Sequence, residues 1–181
     1  MADAWATPED LRVHLRLAAI DEDQAAAVIA AAEQTVRDGL EQQIDPVAGD
    51  IVHLVGNGRT LLHLPERPVT AVTSVTSNGD VLEPGAWRHN RYGQLTRLDG
   101  CWPLDAEVTV VYDHGYVPIP ATLRQTCIQV ASRAWVNPSE GIAAESLGDR
   151  SVTYDKARTG QALTEWEQRT TARYARGNES R

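Results

Sequence analysis

The sequence contains no phenylalanine, and aromatic residues fill only 6% of its 181 positions. A core must therefore be assembled from Val, Leu, Ile and Ala, with the five tryptophans as its large anchors. No apolar run reaches the roughly eighteen residues that a membrane-spanning helix needs, so a membrane role is not expected. The first ten residues, MADAWATPED, lack the basic and apolar regions of a secretion signal. Only two cysteines are present, Cys101 and Cys127, and they match no metal or redox spacing. Both are expected to be reduced, with Cys127 in the core. Positive charge is also short. Seventeen Lys plus Arg face twenty-five Asp plus Glu, for a net charge of −8. Such a surface argues against non-specific gripping of nucleic acid, which needs clustered cations against phosphates. Lys156 is the single lysine; that bias points to a GC-rich coding sequence more than to a function.

Against these absences, hydrophobic content is 42%, which rules out a disordered chain. The clearest single element is residues 118–136, PIPATLRQTCIQVASRAWV. Leu123, Cys127, Val130, Ala131, Ala134 and Trp135 recur at steps of three and four and share one face of a helix. Leu123, Cys127, Val130 and Trp135 are the expected core contacts. Pro118 and Pro120 prevent an earlier start, Pro120 fits the first helical position, and Asn137-Pro138 stops the run. Upstream, Thr7-Pro8-Glu9-Asp10 predicts a capped helix start with carboxylates at the positive end of the dipole. A second and longer helix opens after Asp21, with Ala25, Ile29, Ala32, Val36 and Leu40 on its inner face. Gly39 weakens its last turn by about 1 kcal/mol relative to Ala.

After Pro46 the texture changes to β-branched residues and turn signals. Asn57-Gly58, between DIVHLV and RTLLHL, predicts a tight hairpin, and Asn78-Gly79 predicts another. Residues 87–90 and 94–98 read as a hairpin around Tyr92-Gly93, and 107–112 as a final strand. Residues 151–154 read as a short strand. A last amphipathic helix carries Leu163, Trp166, Thr170 and Tyr174 along one side and ends at Gly177. The prediction is an α+β chain: an antiparallel bundle of about four helices with an inserted antiparallel β-meander. Its parts are N-terminal helices at 1–45, a β-rich insertion at 46–117, a core helix at 118–137, and a loop with a C-terminal helix at 138–181. Charge is uneven across them. Residues 1–45 hold ten acids and three bases, and residues 121–181 seven acids and nine bases.

Catalytic signals are sparse. No His pairs with another His, a Cys or an acid at a metal-ligand spacing. His53 and His63 would face each other across the Asn57-Gly58 hairpin, and a pair of strand-surface histidines is the plainer reading. Asp113-His114 has no accompanying nucleophile motif. The glycines around Asn57 precede a strand, which disfavours a phosphate cradle. No catalytic residue, metal or cofactor is expected. The final helix is short and tethered, so it either folds back on its own domain or docks on another chain.

The order of parts resembles a known family. Two acidic helices lead to LPERPVTAVTSVTSNGDVL, then VTVVYDHGY, a Pro-x-Pro turn, ATLRQTCIQVASRAWVNP, ESLGDRSVTY and an amphipathic C-terminal helix. This is similar to the head–tail connector, or adaptor, proteins of long-tailed double-stranded DNA phages, most of all the actinobacteriophage type. The most specific stretches are 64–75, 112–135 and 145–154. The resemblance implies a structural virion protein of the neck, assembled in the bacterial host cytoplasm. It implies a ring of about twelve copies under the portal that extends the DNA channel and carries a stopper or head-completion protein. DNA would pass without sequence-specific binding, and the acidic balance suits a channel that repels phosphates.

The portal is expected to meet Ser146, Leu147, Gly148, Asp149, Val152 and Tyr154, together with Trp166, Arg169, Arg173 and Tyr174 of the last helix. Rival readings are another neck protein, such as a stopper or tail terminator; a small hydrolase or metal enzyme; and a host regulatory module. Helical content, metal analysis and the neighbouring genes separate them.

Overall fold

A computed structural model describes residues 4–137, 144–147, 150–153 and 162–175. The chain divides into two compact units, Met1–Glu41 with Ile119–Arg181, and Gln42–Pro118. The class is α+β, with four α-helices and antiparallel sheets among the described residues.

The first unit contains α1 (Pro8–Leu15), α2 (Glu22–Leu40), α3 (Ala121–Val136) and α4 (Glu165–Thr171), which runs on into a 3₁₀ turn at Ala172–Tyr174. It also holds the strand pair β8 (Ala144–Leu147) and β9 (Arg150–Thr153). Helix α1 starts in a capping box. The Thr7 hydroxyl accepts the Asp10 N–H at 3.1 Å, and the Asp10 carboxylate accepts the Thr7 N–H at 2.8 Å. Asp21 caps α2 by accepting the Gln24 N–H at 2.9 Å. The inner face of α2 is the expected series Ala25, Ile29, Ala32, Val36 and Leu40, all buried. On α3, Leu123, Cys127 and Val130 are buried, while Trp135 in the last turn is half-buried.

Trp5 supplies an anchor with no periodic signal in the sequence. Its side chain is buried, and its N–H donates to the Glu33 carboxylate at 2.6 Å. Its carbonyl accepts from Arg124 Nε at 2.7 Å, and the Arg37 guanidinium lies 4.5 Å over the indole. The segment before α1 is thereby tied to both α2 and α3. A Cβ at Gly39 would approach Leu163 Cδ1 to 2.8 Å, so the segment leading into α4 passes close to α2, and a larger residue there would turn the Leu163 side chain aside.

The second unit is built from β1 (Val47–Val55), β2 (Leu61–His63), β3 (Val69–Ser77), β4 (Asp80–Val81), β5 (Trp87–His89), β6 (Gln94–Arg97) and β7 (Glu107–His114). Two sheets form, in the orders β1-β7-β3-β4 and β2-β6-β5. Alternation along β7 turns Val108, Val110, Tyr112 and His114 inward. Val108, Val110 and Tyr112 meet Leu62, Leu95, Trp87 and Trp102 in one core, and Trp102 Nε1 donates to the Thr60 carbonyl at 3.0 Å.

Two of the expected hairpins form, β3–β4 at Asn78-Gly79 and β5–β6 around Tyr92-Gly93. Asn78 and Gly79 both sit at positive φ, as a two-residue turn requires. The Asn57-Gly58 hairpin does not form, and the strand order is not that of a simple meander. The last strand, β7, lies between β1 and β3, and β2 belongs to the other sheet. Long-range pairing displaces the local turn here. Gly56 N–H donates to the Ala106 carbonyl at 2.8 Å and Gly58 N–H to the Trp102 carbonyl at 3.0 Å. Asn57 Oδ1 accepts the Arg59 N–H at 2.9 Å, closing an Asx turn. A Cβ at Gly56 would run into the Pro103 carbonyl, so this backbone approach needs glycine.

Candidate docking site

The C-terminal segment is where the sequence places a docking surface. Strands β8 and β9 pair antiparallel, with Ser146 opposite Ser151, Leu147 opposite Arg150 and Glu145 opposite Val152. Gly148, Asp149 and Tyr154 lie outside the described residues.

Helix α4 begins at Thr164, whose hydroxyl accepts the Glu167 N–H at 3.3 Å. In return Glu167 Oε2 accepts the Thr164 N–H at 2.8 Å. Thr164-Glu165-Trp166-Glu167 is an instance of the T-x-x-E capping box, a start signal that reading this helix by its apolar stripe passes over. Glu167 does more than cap. It is 2% exposed and takes the Arg133 guanidinium of α3 in a two-bond fork, Nη1 to Oε1 at 2.7 Å and Nη2 to Oε2 at 3.0 Å. Arg133 also donates to the Ala162 carbonyl at 3.2 Å. Burial pushes the Glu167 carboxyl up, but Arg133 and the Thr164 donors outweigh it and hold the group below its ordinary value.

The last helix therefore folds back on its own unit, and its inner side is not the apolar stripe read from the sequence. Glu167 and Thr171 face inward, whereas Trp166 is 62% exposed. The physical reason is that a charge-assisted pair to α3 fixes the rotation of so short a helix, overriding a weak apolar periodicity. Arg169 is exposed and pairs with Glu165 at 3.2 Å. Arg173 donates to Thr122 Oγ1 at 2.6 Å and lies 4.9 Å from the Tyr174 ring, so both are engaged within the unit. Of the expected contact residues on this helix, Trp166 and Arg169 are the two that face outward without a long-range tie.

The histidines and acids do not assemble a reactive centre. His53 Nδ1 lies 3.1 Å from Thr109 Oγ1, and His63 is opposite Gln94 in the other sheet, so those two histidines do not meet. Asp113 and His114 are adjacent on β7 and alternate between its faces. Asp113 Oδ1 accepts the Gly49 N–H at 2.7 Å, and His114 Nε2 lies 3.2 Å from Asp50 Oδ2. Both pin the bulged start of β1 to β7. Buried Cys127 has its thiol pushed up to about 12 by desolvation and the nearby Glu33 charge. Among the described residues no three His, Cys, Asp or Glu side chains could hold a metal ion.

No curated protein sequence matches the chain. Several solved chains share its fold. One is a chain from the neck of an empty GTA particle computed with C6 symmetry, 17% identical, covering 78% of this chain and 83% of that one, TM-score 0.54. Another comes from the virion of the native gene transfer agent (GTA) particle, 16% identical, covering 79% and 83%, TM-score 0.56. The third comes from the neck of the native GTA particle computed with C12 symmetry, 16% identical, covering 82% and 85%, TM-score 0.53. The family profile of head completion proteins matches residues 6–159, which takes in α1–α3 and β1–β9 and ends before α4. The chain belongs to the head completion protein family.

Proposed function

We propose that this head completion protein is a head-to-tail adaptor: a ring of about twelve copies beneath the portal that extends the DNA channel and carries the next ring of the neck. It is a structural neck protein and not an enzyme. The observation that carries the adaptor reading is the fold shared over 82% of the chain with a component of a neck of C12 symmetry. A closed ring needs a head-to-tail interface between unlike surfaces of identical copies. The net charge of −8 per subunit also suits a channel, since a ring of such subunits repels phosphates and lets the duplex slide.

In this reading the portal docks on the β8–β9 hairpin and on the outward side of α4. Trp166 is the natural anchor, because exposed tryptophan and arginine side chains carry much of the energy of protein interfaces. Arg169 beside it supplies the charge. The double variant Trp166→Ala, Arg169→Glu leaves the inward Glu167 in place. It is expected to weaken co-assembly with portal at least tenfold, about 1.4 kcal/mol. Undiminished co-assembly would remove α4 from the portal contact.

The family's description favours a second reading, in which the chain closes the head one ring further from the capsid, as a stopper. A reconstruction of the particle neck decides between them. The adaptor touches portal directly, the stopper does not, and absence of the chain from particles refutes both.

A further inference from the structure

The two edges of the four-stranded sheet are unlike each other, and among the described residues each leaves part of a strand unpaired. Strand β1, nine residues long, pairs with β7 and with no other described strand. On the far edge, β4 covers β3 only at Thr76 and Ser77, and the Val75 carbonyl is taken by the Leu82 N–H at 2.8 Å. At the other end of β3 the Val69 N–H donates to the Arg91 carbonyl at 3.0 Å, and the strand is bulged against β7 after Val69 and after Val72, so the stretch with no described strand on its outer side is residues 70–74, where Thr70 and Thr73 are exposed.

The direction of the β1 backbone groups follows from its register. In an antiparallel ladder, alternate residues exchange both bonds with the partner strand. The bond from Gly56 N–H to the Ala106 carbonyl continues the β1–β7 register, so Val52 and Leu54 face β7 with their N–H and C=O groups. Ile51, His53 and Val55 therefore direct theirs away from the sheet. The Asp50 carboxylate accepts the Ile51 N–H at 2.9 Å, which guards the start of the edge together with the bulge at Gly49. Among the described residues no strand covers the remainder. From Ile51 to Val55 there is no proline, lysine or arginine, the residues that usually blunt an edge. Ile51 is 58% and Val55 66% exposed, and both stand on the outer face of the sheet.

We infer that the β1 edge is the subunit contact of the ring, adding its strand to the open β3 edge of a neighbouring copy of this chain. The inference rests on the ring reading above. A second copy fits this edge for two reasons. A complementary unpaired stretch is present on the same sheet, so one contact repeated head to tail pairs both edges once the ring closes. The lengths also fit. Residues 51–55 and 70–74 are each about 17 Å long, and pairing along them buries on the order of 200 Å² per partner, roughly a quarter of what a stable free-standing pair uses. Each subunit of a ring makes the contact twice and gains closure, so the contact holds in the assembly and is weak in a lone pair.

Proline at His53 tests this. It removes an outward N–H and leaves the backbone bonds to β7 untouched, a position where an edge strand tolerates proline, while the imidazole's contact with Thr109 is lost as it is in alanine. His53→Ala keeps the N–H and serves as control. Full-length protein is examined by circular dichroism and by electron microscopy of rings, alone and in particles. The expected result is a folded His53→Pro protein that has lost rings, with His53→Ala forming them normally. Val55→Lys, which places a charge on the same edge, is expected to lose them too and keeps the test open if the proline variant misfolds. In a Cys101→Ser background, His53→Cys with Thr73→Cys should give a ladder of covalent oligomers on oxidation, and neither cysteine alone should. Rings formed equally well by His53→Pro or Val55→Lys would overturn the edge contact while leaving the ring reading intact. Covalent dimers from His53→Cys alone would replace it by a two-fold contact. A wild-type protein that forms no ring even in particles would overturn the ring reading and the contact with it.

Discussion

Replacing Glu167 by alanine should release the last helix without unfolding the rest of its unit. Glu167 is almost fully buried, caps α4 through Thr164, and binds Arg133 through two short bonds. Removing one partner of a buried, hydrogen-bonded ion pair costs about 3–5 kcal/mol, a figure that takes in the lost bond to the Thr164 N–H. Arg133 keeps some solvent contact, with 17% of its side chain exposed, so the lower part of that range is the better expectation, near 3 kcal/mol in all. A helix of seven residues has almost no stability of its own to set against that loss.

The assay is native-state hydrogen exchange. The amides of residues 168–172 should exchange roughly a hundredfold faster, since each 1.4 kcal/mol is a factor of ten, while those of α2 and α3 change little. Acid should do the same to the wild type. The folded carboxyl sits below its unfolded value, so its stabilisation is complete above the unfolded pKa, near 4.3, and is lost as pH falls through the lowered folded value. Unchanged exchange of these amides in Glu167→Ala would refute the assignment of the pair as the helix's attachment.

Two other outcomes follow from the packing. Trp5→Ala should cost about 3–5 kcal/mol, seen as a lowered denaturation midpoint of the helical unit, because the indole is buried with the Arg37 guanidinium over it. Titration of the native protein at neutral pH with a thiol reagent should modify Cys101, which is exposed, and leave Cys127 unmodified until denaturant is added, since its thiol is buried and titrates only near 12.

Helix positions were legible because their signals are local. Thr7, Asp21 and Pro120 set starts, and the three- and four-residue spacing on α2 and α3 named their buried faces. The strands were legible as strands, and the α+β class with them, but their neighbours were not. Asn57-Gly58 has the composition of a hairpin, yet its backbone groups are claimed by residues 102 and 106, some fifty positions away. A turn signal reports what a segment prefers alone, and pairing across a sheet is decided by burial of the whole face. Of the candidate docking surface, the capping box of α4 stood in the sequence. The partner that rotates the helix, Arg133, lies thirty-four residues upstream of Glu167, and nothing local links them. Trp5 was invisible for the same reason: its supports are Glu33, Arg37 and Arg124. The open edge of β1 emerges only when β7, and not β2, is known to be its neighbour.

One side chain begins α4 and also fastens it to α3. Winding and attachment are therefore a single event: the segment cannot stay coiled while loose, nor stay fastened while unwound. A partner reading the outward tryptophan would encounter either a finished surface or none, so engagement at this end should be switch-like and not graded.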